Sequence, residues 1–154
     1  MTISEITMNL SHSELPMIKS TIKDCKVLPL MKIHNRAGNI TIIEGNKDVP
    51  FNIKRIYYLY DIPGGEERGG HAHKELFQLI VAASGAFDVV LDDGQNKKIV
   101  TLNRPDFGLI IVPGIWRELI NFSSGAICLV LSSEIYSEAD YIREYDDFNK
   151  RIQK

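Results

Sequence analysis

Cysteine is scarce: two in 154 residues, Cys25 and Cys128, far apart and in no metal-type spacing. That excludes a disulfide scaffold and a cysteine-rich zinc domain, so two free thiols in a reducing cytoplasm are expected. No run approaches about 18 apolar residues, and no membrane-spanning helix is expected. Residues 1–25 hold no continuous apolar stretch of the kind a secretory leader carries. Neither sign of charge dominates, with Lys+Arg at 18 and Asp+Glu at 20 for a net charge of -2. Without a basic block there is no electrostatic case for nucleic acid or an anionic membrane. A small anionic ligand remains open, because it needs only a few well-placed cations. The loop Pro63–Gly70 (PGGEERGG) is glycine-rich but lacks the Gly-Lys-Ser/Thr ending of a phosphate-binding P-loop. There is no internal repeat, low-complexity tract or linker. One domain over 26–154 is expected, preceded by an extension over 1–25 whose one candidate element is a short helix around Glu14–Lys23.

What is present is a series of short β-rich segments punctuated by turn residues. Val27–His34, Asn39–Glu44, Phe51–Tyr60, Leu76–Ala82, Ala86–Leu91, Lys98–Leu102, Gly108–Val112, Trp116–Asn121 and Ile127–Ser132 read as strands. Asp93-Gly94 suits a tight hairpin. Phe87, Val89 and Leu91 alternate with Asp88, Val90 and Asp92, so one face points to a core. Many short strands at even spacing give an all-β sandwich or barrel. After Ser137, a candidate N-cap, Tyr141, Tyr145, Phe148 and Ile152 recur at helical spacing and predict one C-terminal amphipathic helix.

Two of the four histidines form Gly70-His71-Ala72-His73. In an extended segment His71 and His73 project to the same face. Paired imidazoles beside a glycine-rich loop suit a metal site or an acid–base site. The pattern Gly65, five residues, His71-Ala72-His73, four residues, Gln78, six residues, Gly85 resembles the first cupin motif, with Gln78 where that motif has Glu. Gly108, Pro113, Arg117 and Asn121 resemble the second, with Arg117 where it has His. Gln is a weak neutral ligand, and a protonated guanidinium has no lone pair to offer. No metal and no other cofactor is therefore expected.

Phe51–Tyr58 (FNIKRIYY), Glu67–Lys74 (ERGGHAHK), Leu91–Gly94 (LDDG), Val130–Glu134 (VLSSE) and Asp140–Phe148 (DYIREYDDF) together resemble the dTDP-sugar 3,4-ketoisomerases, WxcM-like metal-free cupins. The resemblance runs from about Val27 to Arg151. It implies an RmlC-like jelly-roll barrel with a C-terminal helix, and conversion of dTDP-4-keto-6-deoxyglucose to its 3-keto isomer on the way to 3-amino-3,6-dideoxyhexoses of surface glycans. It also implies a homodimer with exchanged N-terminal strands.

A ketone shift from C4 to C3 needs a base with a near-neutral pKa and donors for an enediolate oxygen. His71 and His73 are the candidate bases, with His73 favoured, and Tyr58 is placed with them as a catalytic group. Tyr57, Gln78 and Arg117 are candidate donors, although alternation lets only one of Tyr57 and Tyr58 face the cavity. Arg36, Arg55 and Arg68 are candidates for the diphosphate, and Trp116 for stacking on the base. Three alternatives stand: a 3- or 3,5-epimerase on the same substrate, a non-catalytic sugar-binding cupin, or a metal-binding cupin. The epimerases pair a His with an Asp, and no Asp is obviously placed for that.

Overall fold

The computed structural model describes residues 19–152. A single 3-10 turn, Ile22–Asp24, precedes the barrel, and most of the helix expected at Glu14–Lys23 lies outside the described residues. The strands run β1 (Val27–Pro29), β2 (Met31–Asn35), β3 (Gly38–Ile42), β4 (Arg55–Leu59), β5 (Arg68–His73) and β6 (Gln78–Ser84). They continue as β7 (Phe87–Asp92), β8 (Lys97–Leu102), β9 (Phe107–Ile111), β10 (Trp116–Ile120), β11 (Ile127–Ser132) and β12 (Tyr141–Ile142). One helix follows, α1 (Tyr145–Ile152). Two five-stranded antiparallel sheets face each other, in orders β1-β9-β6-β11-β4 and β12-β5-β10-β7-β8. This is the cupin jelly roll.

The core lies between the sheets. Ile80, Leu109, Ile111, Cys128 and Val130 come from one side, and Phe87, Val89, Leu91, Leu102 and Leu119 from the other. Cys25 and Cys128 are both free thiols, and burial raises the pKa of each. Strand β6 is a continuous apolar run because it is covered on both faces. Its outer residues Leu79 and Val81 pack under Leu30, Val49 and Phe51. The second sheet is covered outside by α1, where Phe148 joins Ala72, Trp116 and Ile142.

The structure departs from the sequence expectation in four places, the first being that Arg68–Gly70 of the expected loop Pro63–Gly70 belong to β5. The expected strand Val27–His34 breaks at the buried Leu30. β1 joins the main sheet, while β2 leaves it to form a separate hairpin with β3. Pro29 cannot donate a ladder hydrogen bond, which favours the break. The expected strand Phe51–Tyr60 orders only from Arg55, since Phe51 plugs the cluster over β6. The C-terminal helix starts at Tyr145 rather than after Ser137. Ser137 caps only the 3-10 turn Glu138–Asp140, without a side-chain bond, and Tyr141 sits in β12.

Candidate active site

Alternation along β5 turns His71 and His73 into the barrel and Ala72 out toward α1. A bulge refines this placement. Arg117 pairs with His71 but Leu119 pairs with Arg68, so two steps on β10 oppose three on β5. Gly69, at φ +81°, absorbs the extra residue in a backbone region that favours glycine. The bulge brings Arg68 onto the same cavity wall as His71. The cavity encloses about 500 Å³ between β4, β5, β6, β10, β11 and the segment around β12.

His71 lines this cavity at 9% exposure, whereas His73 is fully buried behind it. Their Nε2 atoms are 3.1 Å apart, with the rings nearly perpendicular. His73 Nδ1 lies 3.0 Å from Asp140 Oδ2. The sequence favoured His73 as the base, but the cavity is reached through His71. Both imidazoles are pushed far below the usual histidine range, His71 to about 2 and His73 to about 3. Burial is the main cause and the nearby Arg117 guanidinium the next. Both rings are therefore neutral at physiological pH with a lone pair free, but they lie well below the near-neutral range expected of the base.

Gln78 and Arg117 form the floor. Arg117 is 1% exposed and donates from Nη1 to Gln78 Oε1 at 2.5 Å, and from Nε and Nη2 to the Ile115 carbonyl. Burial lowers its pKa to about 10, so it stays charged. The Gln78 oxygen being taken, its amide nitrogen donates to the Tyr57 hydroxyl at 3.2 Å and to Ser132 Oγ at 3.3 Å. Tyr57 thus accepts from Gln78 and keeps its own proton to donate into the cavity. Burial raises its pKa, which holds it as a neutral phenol. Arg55 also lines the cavity, stacked over Tyr57 and Tyr136, with its Nε and Nη2 buried and unpartnered among the described residues. No cluster of three His, Cys, Asp or Glu side chains that could hold a metal forms among the described residues.

Three expected site residues fall elsewhere. Tyr58 follows Tyr57 on β4, so alternation points it outward, where it is 58% exposed against Tyr60. Trp116 precedes Arg117 and likewise faces out. It packs between Tyr145 and Phe148 and donates to Glu118. Arg36 is exposed in the β2–β3 turn and does not line the cavity of its own chain. Conversely, Asp140, Tyr141 and Arg143 were not expected. Tyr141 packs on both histidines, with ring centroids 5.1 and 4.4 Å away, and Arg143 stacks on Tyr141 at 4.1 Å. The signal was there in Asp140–Phe148, but its helical spacing concealed a strand.

The family model described as FdtA: WxcM-like, C-terminal, matches residues 23–153. The chain belongs to this family. A curated TDP-4-oxo-6-deoxy-alpha-D-glucose-3,4-oxoisomerase from Aneurinibacillus thermoaerophilus is 46% identical over 129 residues, covering 84% of this chain and 93% of that protein. The solved TDP-quinovose 3,4-ketoisomerase from Campylobacter jejuni is 49% identical with a TM-score of 0.80, covering 84% of this chain and 99% of the other. A sugar 3,4-ketoisomerase from Thermoanaerobacterium thermosaccharolyticum, solved with TDP, is 38% identical with a TM-score of 0.84, covering 86% of this chain and 97% of the other. This WxcM-like chain is accordingly an isomerase of the sugar-nucleotide ketoisomerase type. Among the described residues, no helix is long and apolar enough to cross a membrane.

Proposed function

We propose that this chain converts TDP-4-keto-6-deoxyglucose to the 3-keto isomer without a metal, with His71 as the base and Tyr57 as the acid. The observation that carries this reading is a neutral, buried imidazole on one sheet, lining the same cavity as a phenol on the facing sheet whose proton is free. His71 takes the C3 proton while Tyr57 donates to the C4 oxygen, giving an enediol. The C3 hydroxyl then loses its proton as C4 receives one, and no net proton is gained or lost. The buried Arg117 charge favours the developing oxyanion. Arg55, with two nitrogens unpartnered among the described residues, and Arg68 and Arg143, which line the same cavity, suit the diphosphate.

The same Arg117–Gln78 bond supports chemistry without a divalent ion, since it uses the Gln78 oxygen and sets a cation where a ligand would stand. The His73–Asp140 pair is the one feature that favours an epimerase. The relatives at 38–49% identity favour the ketoisomerase.

The test is incubation with TDP-4-keto-6-deoxyglucose and NMR of the product, in H₂O and D₂O, with and without chelator. A 3-keto product with deuterium at C4 and chelator-resistant turnover is expected. A 4-keto product inverted at C3 or C5 would establish the epimerase instead.

The β2–β3 hairpin belongs to neither large sheet, and Met31, Ile33 and Ile40 on it are about half exposed. Exchange of this segment in a homodimer would cover these side chains and carry Arg36 toward a neighbouring copy. Light scattering is expected to give twice the chain mass. Two buried free thiols suit the cytoplasm.

A further inference from the structure

Asp140 is held from three directions. Its Oδ1 accepts from the Glu75 backbone N–H at 2.8 Å, and its carbonyl oxygen accepts from the Lys74 N–H at 2.9 Å. Its Oδ2 is left for His73 Nδ1. The carboxyl group therefore cannot swing away from His73 without losing the Glu75 bond. Two residues of the turn after β5 thus fix the one acid that touches the histidine pair among the described residues.

A carboxylate only accepts, so the proton on His73 must be on Nδ1. His73 Nε2 is then a bare lone pair. The atom facing it at 3.1 Å is His71 Nε2, which must carry the proton of that contact. A neutral His71 protonated at Nε2 has its lone pair on Nδ1. One carboxylate thereby dictates the tautomer of two rings in series. Resting on the proposed function, we infer that Asp140 is a positioning residue that, through His73, holds His71 in the tautomer able to accept the substrate proton.

The arrangement extends beyond orientation. A proton taken up by His71 can be shared across the Nε2 contact with His73, where the Asp140 carboxylate offsets the charge. The Gly69 backbone, hydrogen-bonded to the His71 ring, also favours the protonated form, while the charged groups Arg117 on β10, Arg55 on β4 and Arg143 after β12 oppose it. Tyr141 stacks on both rings. Asp140 is the only carboxylate in contact with either ring among the described residues.

The test combines ¹⁵N NMR of the histidine rings with kinetics of Asp140→Asn and Asp140→Glu. In the unaltered protein at pH 7, His73 is expected to be protonated at Nδ1 and His71 at Nε2. Asp140→Asn is expected to lose the fixed tautomer and to lower kcat by ~10²-fold, with KM within about threefold. Loss of the carboxylate lowers the proton affinity of the pair, so the acid limb of the rate profile moves to lower pH. Asp140→Glu, which keeps the carboxylate, is expected to recover part of kcat. A merely structural role would cut the active fraction without moving the limb. His73 protonated at Nε2 in the unaltered protein, or an Asp140→Asn enzyme with native kcat and acid limb, overturns the inference. Failure of the unaltered protein to convert the substrate, with the His73 Nδ1 proton in place, overturns the functional reading and leaves the tautomer assignment standing.

Discussion

Strands β5 and β7 lie in the same sheet, on either side of β10, yet their inward faces have opposite contents. β7 sends Phe87, Val89 and Leu91 into a solid apolar core, whereas β5 sends His71 against a cavity with His73 buried behind it. β10 bridges the two, with Leu119 in the core and Arg117 in the site. One pleat rule therefore serves both purposes. It fixes which side chains face in, and their chemistry decides whether the interior fills or stays open. The filled half needs only matching volumes. The open half needs a partner for almost every polar atom, which explains the Arg117–Gln78–Tyr57 and His71–His73–Asp140 chains.

The sharpest break of that contrast is His71→Asn, which is expected to lower kcat by ~10²-fold or more while TDP affinity, measured by calorimetry, stays near native. Leu91→Ala is expected to do the reverse. It costs about 2–5 kcal/mol of stability in a urea melt, with little change in kcat per folded molecule. The two faces of β4 allow a milder comparison. Tyr57→Phe is expected to slow turnover about tenfold or more through loss of its donated proton, and Tyr58→Phe to leave it unchanged in the same assay.

The last comparison is made in acid. The folded chain holds His71 and His73 neutral, while the unfolded chain binds protons on both below about pH 6.5. The unfolded state thus takes up more protons, and stability falls as pH drops. Between pH 6 and 4 the slope approaches about 1.4 kcal/mol per pH unit for each histidine. Urea melts at several pH values should show it, and His71→Asn should remove about one proton from the slope.

Much of the barrel was legible because period-two alternation and turn residues are local signals. The same rule separates Tyr57 from Tyr58 and, applied to adjacent residues, would have turned Trp116 away from Arg117. The break at Leu30 was not legible, because it depends on what packs over β6. Nor was the role of Asp140–Arg143. Helical spacing and a two-residue strand cannot be told apart in so short a run, and the decisive partner of Asp140 is 67 residues away. The histidine pair was legible as a pair, but its order from cavity to interior depends on tertiary depth.

Arg117 has one more consequence. Its guanidinium is buried at the cavity floor, and among the described residues it bonds only to an amide oxygen and a backbone carbonyl. A buried cation with no carboxylate bonded to it weakens the resting fold, and the same field lowers the energy of an enediolate. Stability and rate are thus opposed at a single residue, so selection for a sturdier protein at this position would yield a slower one.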